Sequence, residues 1–455
     1  MTNILCTIGP STESIQNLKK IAYNTKFVRL NGAHNNLTWH KKICNSLKKI
    51  NPDCKILIDL PGIKPRTIIS KELLIKKNEK VIFYFGKEIR HKIITKIQIS
   101  KPLPKFNNLK TFSVSDGKFT FKFISRGKNY IIGSSEENFK LLSNKGLNIP
   151  NSIYSDKFQE KVYLDFFKKI KKFKFDAIGL SYVQNHSLVE KMRTKSNKII
   201  VSKIENAQGC ENLDSICKSS DIIMIDRGDL SAEIGNTNLY SQTIKISKCT
   251  KYYGKLLIIA TENLETMIFN STPTKSEIIS LSFSKSLNAD YLMLSDETAT
   301  SNNFLKIINW LKNFNKVDDD QKIKSKKDNK FIETSQKDIF FKNLSMLDEK
   351  FNNIIIFTRK GYVIEKILRI NPAMEMIIFT DNQKVFDLSY LRSNSKVFKT
   401  KKFPKVLDNF IYANIKKNIN IIFRDNKNAC LFYAAFARKN SRANTLSILQ
   451  KRDFI

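Results

Sequence analysis

Short apolar runs bounded by turn residues recur through the first two thirds of the chain: Ile4–Ile8, Phe27–Leu30, Lys55–Asp59, Ala177–Leu180, Ile199–Ser202, Ile222–Ile225, Leu256–Ala260 and Tyr291–Leu294. They are largely β-branched and continuous rather than alternating, the pattern of strands buried on both faces. Helically spaced stretches, such as Leu188–Thr194 and Ser276–Leu287, lie between most of them. Eight β-then-α units predict a (β/α)8 barrel, an architecture of about 250 residues.

The series breaks between the third and fourth runs. From Ile68 to Lys145 the spacing changes to period two, in VIFYF, KTFSV, KFTFKFI and NYIIG, with Asp116-Gly117 as a turn. That predicts an inserted small β-barrel lid. After Trp310 comes KVDDDQKIKSKKDNK, read as a charged linker. Beyond it IIIFT, MIIFT and NIIF read as strands of a C-terminal open α/β domain. The expected division is a barrel of residues 1–67 and 146–313, a lid of 68–145, a linker of 314–330 and a C-terminal domain of 331–455.

Composition adds little to this architecture, but the charge is unusual. Of 79 basic residues 13 are Arg and 66 Lys, against 42 acidic ones, for a net +37. A nucleic-acid reader favours arginine for bidentate contacts, and here the lysines are scattered, so no nucleic-acid role is expected. Seven dispersed cysteines without a CxxC pair fit a reducing compartment. The opening MTNILCTIGPSTES has no basic segment followed by an apolar core, and no run approaches the ~20 apolar residues of a membrane span. The reading is a cytoplasmic protein that does not enter membranes.

Active sites of such barrels form where strands end. Polar residues cluster there: Thr7, Arg29 and Asn31, Asp59, the Ser202–Asn206 run, Asp226 to Asp229, Thr261, and Ser295 to Thr298. Glu205 and Asp229 offer hard oxygen ligands that suit Mg2+ or Mn2+, and Lys203 adds a cation.

The motifs carry a resemblance. CTIGPS (Cys6–Ser11), RLN (Arg29–Asn31) with His34, LIDxxG (Leu57–Gly62), and Arg66-Thr67 come first. DG (Asp116, Gly117) and KGLNIP (Lys145–Pro150) follow, then SKIENAQG (Ser202–Gly209), RGDL (Arg227–Leu230), ATENLETMI (Ala260–Ile268), PTKSE (Pro273–Glu277) and MLSDETA (Met293–Ala299). In this order the chain resembles the pyruvate kinases over about two thirds of its length. The resemblance implies transfer of a phosphoryl group from phosphoenolpyruvate to ADP, giving pyruvate and ATP in glycolysis, and a homotetramer. It implies that Lys203 stabilises the transferring phosphoryl group and that Glu205 and Asp229 hold the divalent ion. Gly228 and Asp229 would receive the substrate carboxylate, Thr261 would serve enolate protonation, and Arg29 with Ser181 would hold phosphoenolpyruvate. Asn31, His34, Arg66, Asp116 and Lys145 match nucleotide-side positions.

Several positions depart from that pattern. Among the residues that hold K+ in other members, Asn31 and Asp59 remain, but Ala33 and Leu60 replace oxygen ligands and Lys64 replaces a glutamate. This implies a K+-independent enzyme in which Lys64 supplies the missing positive charge. Gly32, Ser231, Glu262 and Asp296 stand where the family has Phe, Gly, Gln and Gly. A weakened or non-catalytic relative that binds metabolites or regulates a partner is the alternative; loss of Lys203, Glu205 or Asp229 would mark it, and all three are present. The C-terminal effector loop of many members corresponds to Thr358-Arg359-Lys360-Gly361, so activation by a sugar bisphosphate is not expected.

Overall fold

The computed structural model describes residues 2–115, 117–320, 353–370, 374–424, 428–433 and 445–455. Eight parallel strands close into a barrel: β1 (Asn3–Thr7), β2 (Phe27–Asn31), β3 (Lys55–Leu60), β4 (Ala177–Leu180), β5 (Ile199–Ile204), β6 (Ile222–Asp226), β7 (Leu256–Ala260) and β8 (Tyr291–Leu294). Each apolar run became a strand because its alternate residues meet two different cores. Ile4, Val28, Ile56 and Ile178 face outward into the helices, while Leu5, Phe27, Leu57 and Ala177 fill the lumen. Several of the outer helices start at side-chain caps. Asn185 caps the helix His186–Lys195, and Thr274 with Glu277 forms a reciprocal capping box on the helix Lys275–Ser286.

Between β3 and β4 the chain builds a seven-stranded mixed sheet, with a two-stranded ribbon beside it. Its core is aromatic: the ring of Phe83 meets those of Phe112 and Phe121 edge to face at 5.7 and 5.2 Å. The strand Thr95–Ile99, in the segment HKIITKIQIS, joins this sheet without having stood out as an apolar run.

The C-terminal part forms a five-stranded sheet, parallel except for its last strand. Two expectations fail here. NIIF is not a strand: Ile419–Ile422 is a short helix whose Ile422 packs, with Phe423, against the sheet. The strand position beside Asn353–Phe357 belongs instead to Ala429–Tyr433. A four-residue apolar run does not discriminate strand from helix by periodicity. The stretch read as linker also begins helically, since the helix Phe304–Asp320 runs on through Asp320 with no Pro or Gly to stop it. Residues 321–330 lie outside the described residues. Among the described residues no helix is long and apolar enough to cross a membrane.

The C-terminal sheet is docked under the barrel floor. The helix Gln383–Leu391 ends in Leu391, which is buried in the lumen core, and Tyr291 donates its hydroxyl to the Leu391 carbonyl (2.6 Å). Lys55–Asp387 (2.6 Å) and Lys255–Glu365 (2.7 Å) pair across the same junction. Arg392 reaches the Gly254 carbonyl at 3.0 Å. Because Leu391 completes a core that belongs to the barrel, Leu391→Ala is expected to destabilise the barrel by about 2–5 kcal/mol. A lowered thermal midpoint of the far-UV signal checks this; an unchanged midpoint would mean that the floor is closed without it.

Candidate active site

The lumen residues extend to the site by simple alternation. One step of two beyond Leu5, Phe27, Leu57, Val201 and Met224 sets Thr7, Arg29, Asp59, Lys203 and Asp226 in the same lumen, at the C-terminal mouth. The same step from Ala177 reaches Gly179, where a side chain is impossible: a Cβ there would lie 2.1 Å from Asp59 Oδ1. That glycine makes room for the carboxylate.

Lys203 is the hub. Its Nζ lies 2.6 Å from Glu205 Oε1, 3.1 Å from Asp226 Oδ2 and 3.5 Å from Asp59 Oδ2. Burial opposes its charge, but Glu205, Asp226 and Asp59 more than offset this and hold its pKa above the ordinary lysine value. Burial likewise pushes Asp59 up, and Arg29 (Nε 2.8 Å from Oδ2) with Lys203 reverses the sign, leaving Asp59 ionised. For Glu205 burial wins, with Asp226 and Asp229 adding to the rise against the pull of Lys203, so its pKa is raised.

Glu205, Asp226 and Asp229 each place a carboxylate oxygen within 4.8 Å of the others. Three hard oxygens from strand ends and a helix start suit Mg2+ or Mn2+, with further positions open to water and substrate. Among the described residues the carboxylates of this mouth also meet cations: Arg29 pairs with Asp59, Lys203 with Asp59, Glu205 and Asp226, and Lys64 with Asp229. Asp226 went unassigned in the sequence reading, although its place two residues beyond Met224 on an inward face signals it. Lys64 is buried and its Nζ meets Asp229 Oδ1 at 2.5 Å. Its stem lies against Gly146, where a Cβ would fall 2.3 Å from Lys64 Cε. Tyr182 joins the set: its hydroxyl donates to Asp229 (3.2 Å) and its backbone N–H to Glu205 (2.5 Å).

Thr261 follows β7 in the left-handed backbone region (φ 63), as does Glu262 (φ 53). Such conformations cost roughly 1–3 kcal/mol each and need support. Arg227 provides it, donating to the carbonyls of Thr261 (2.6 Å) and Glu262 (3.0 Å), to Asn263 Oδ1 (3.1 Å) and to Ser280 (2.6 Å). The turn aims the Thr261 hydroxyl at the start of the Arg227–Ile234 helix, where it accepts from Gly228 N–H at 3.0 Å.

The other sequence-derived positions distribute around the mouth. Ser181 donates to the Leu60 carbonyl (3.0 Å), and Asn31 Oδ1 accepts from Ala33 N–H (3.1 Å). Arg66 lies within electrostatic reach of His34 and Asp229. Lys145 adjoins Arg66 in the chain's return to the barrel, its N–H bonding Thr67 Oγ1 at 3.0 Å. Asp116 lies outside the described residues.

The departures have local explanations. A Cβ on Gly32 would fall 2.2 Å from the Asp59 carbonyl and 2.9 Å from the Phe166 ring, so Phe166 of the helix Asp156–Ile170 occupies the space next to it. Ser231 turns its hydroxyl back onto the Gly228 carbonyl (3.0 Å). Glu262 and Asp296 are exposed on the rim. In the C-terminal loop, Arg359 is engaged by Asp381 (3.3 Å) and the Phe403 carbonyl (2.6 Å).

Residues 1–306 match the family described as "Pyruvate kinase, barrel domain". The chain belongs to the pyruvate kinase family. It is 27% identical to the pyruvate kinase of Thermotoga maritima over 467 residues, covering 99% of each chain. It is 31% identical to that of Sporosarcina psychrophila over 319 residues, 66% of this chain and 53% of that one. A solved pyruvate kinase from Cryptosporidium parvum superposes with a TM-score of 0.80 over 99% of this chain and 96% of that one, at 21% identity, which is a likeness of fold.

If the carboxylate trio binds a divalent ion, Mn2+ and a proton compete for Glu205, and Mn2+ affinity should tighten as pH rises through neutrality. Asp226→Asn should weaken it by about tenfold or more. Electron paramagnetic resonance of Mn2+ titrations reads both, and an unaltered affinity in the variant would remove Asp226 from the ligand set.

Proposed function

We propose that the chain transfers the phosphoryl group of phosphoenolpyruvate to ADP, producing pyruvate and ATP as the closing reaction of glycolysis in the cytoplasm. The observation that carries this reading is Lys203: a buried ammonium held beside three clustered carboxylates at a barrel mouth. Phosphoryl transfer needs in-line positioning and positive charge around the moving oxygens more than covalent help. Residues 1–67 and 146–313 would form the catalytic unit, 68–145 the lid, and 331–455 the C-terminal domain.

Lys203 faces the transferring group and stabilises charge as the bond from phosphorus to the enol oxygen breaks and a bond to the ADP oxygen forms. Arg29, held in place by Asp59, clamps the phosphoryl oxygens, with Ser181 behind it. The Gly228 and Asp229 N–H groups open a helix and receive the substrate carboxylate. Thr261, steadied by Arg227, delivers a proton to the enolate carbon directly or through water. Glu205, Asp226 and Asp229 would hold a divalent cation, which would supply Lewis acidity and a template for the substrate. Asn31, His34, Arg66, Asp116 and Lys145 form the nucleotide side, and closure of the lid excludes water.

Lys64 brings a fixed positive charge next to Asp229, which supports activity without K+. A homotetramer is supported by exposed apolar side chains on the helices Asn236–Tyr252 and Lys275–Ser286: Tyr240, which stacks on Phe283 at 5.2 Å, and Ile279.

Pyruvate formation from phosphoenolpyruvate, ADP and Mg2+ tests the assignment. Lys203→Met should lose roughly 100- to 1000-fold in kcat. Wild type and variant equally inactive would turn the reading toward a metabolite-binding, regulatory relative. Rates in Na+-only and K+ buffers should agree within about twofold, and a large K+ stimulation would refute the role of Lys64.

A further inference from the structure

A pair of cations stands at the junction between the inserted sheet and the barrel. Ser100 and Lys101 follow the strand Thr95–Ile99 and are stitched to the loop that carries Lys64 and Arg66. Ser100 N–H donates to the Arg66 carbonyl (2.9 Å), and Ser100 Oγ accepts from Arg66 N–H (3.0 Å). From there the half-buried Lys101 side chain reaches back to the barrel and donates to the Gly62 carbonyl. Arg66 donates to the Asn144 carbonyl at 2.9 Å. Both cations therefore have carbonyl partners, and among the described residues neither has a carboxylate within ion-pair distance.

Three other cations at this mouth are matched by carboxylates: Lys203 by Glu205, Asp226 and Asp59, Arg29 by Asp59, and Lys64 by Asp229. At the junction they are not. Burial, followed by repulsion from Arg66, lowers the Lys101 pKa to about 8. Two adjacent cations in a partly dry seam are stabilised by an arriving anion. Arg66 also lies within electrostatic reach of Asp229 and His34, so the pair belongs to the mouth rather than to the outer surface.

We propose that Lys101 is a further binding residue of the active site, contacting the phosphates of the nucleoside diphosphate together with Arg66. The inference deepens the phosphoryl-transfer reading above and rests on it. The charges of phosphoenolpyruvate are already met deeper in the lumen by Lys203, Arg29 and the start of the Arg227–Ile234 helix. The diphosphate is the multiply charged group left to match a cation pair at the lid junction. A phosphate there would draw Lys101 from the Gly62 carbonyl, so that nucleotide binding and lid position are linked through one side chain.

The test uses the full chain with Lys101→Met, which keeps the aliphatic stem, and Lys101→Arg, which keeps the charge. In Lys101→Met the KM for ADP should rise about tenfold while that for phosphoenolpyruvate stays within twofold, and Lys101→Arg should restore most of the loss. Calorimetric titration with ADP and Mg2+ should show the same order of affinities. The wild-type KM for ADP should climb between pH 7 and 9 as Lys101, facing Arg66, gives up its proton, and Lys101→Arg should flatten that climb. Unchanged KM values, or equal rises for both substrates as loss of a purely loop-holding contact would give, overturn the proposal. If the wild type proves inactive, phosphoryl transfer falls and the titration alone decides: weaker ADP binding in Lys101→Met supports the contact, and equal or absent binding overturns it.

Discussion

The burial of one ammonium group governs the arrangement of this active site. Lys203 sits in the barrel lumen, where an unpaired charge would be costly, and it is tolerated because Glu205, Asp226 and Asp59 converge on it from β3, β6 and the end of β5. Removing one partner of such a set typically costs about 3–5 kcal/mol, because the other charge is left buried and uncompensated. The barrel register is thereby constrained: Asp59, Lys203 and Asp226 meet only if three strands stagger so that their last inward positions share one level. Gly179 is part of the same constraint, since any side chain there would displace Asp59.

Around this hub Glu205, Asp226 and Asp229 bring carboxylate oxygens within 4.8 Å of one another, an arrangement that suits a divalent cation. Such a cation would add positive charge there and suit anionic substrates. The remaining lysines of the +37 chain sit mostly on solvated faces, where salt screens their field. The buried cations Lys203, Arg29 and Lys64 are instead each fixed in a defined geometry. The loop of Gly62 to Arg66 links the barrel mouth to the lid, because it sends Lys64 to Asp229 while its ends are held by Ser100, Lys101 and the return strand at Gly146.

Much of this was legible in the linear order of residues. All eight barrel strands lie within a residue or two of the apolar runs, and the change from continuous to alternating spacing marked the inserted sheet. Lys203, Glu205, Asp229 and Arg29 stood out at strand ends and do converge. Less visible was Asp226, which looked like one more polar residue before RGDL until alternation from Met224 placed it in the lumen. Arg227 stood out only as part of RGDL, with no sign of its task, which is to hold the carbonyls of a strained turn more than 30 residues away. NIIF misled because four apolar residues fit a helix as well as a strand, and the competing segment ACLFY won the pairing beside Asn353–Phe357.

Spacing and residue type, which are local properties, suffice to say which segments are buried on two faces, where each strand ends, and which charged residues stand at those ends. How those charges are shared depends on the folded arrangement. That Lys203 is claimed by three carboxylates, that Lys64 reaches Asp229, and that Phe166 lies against Gly32 all depend on strands and helices far apart in the chain coming within a few ångströms. Electrostatic energy varies with distance and burial, neither of which is written in the order of residues. For the same reason it is only in space that Lys101 and Arg66 are found with carbonyl partners, while the carboxylates that match Lys203, Arg29 and Lys64 lie elsewhere.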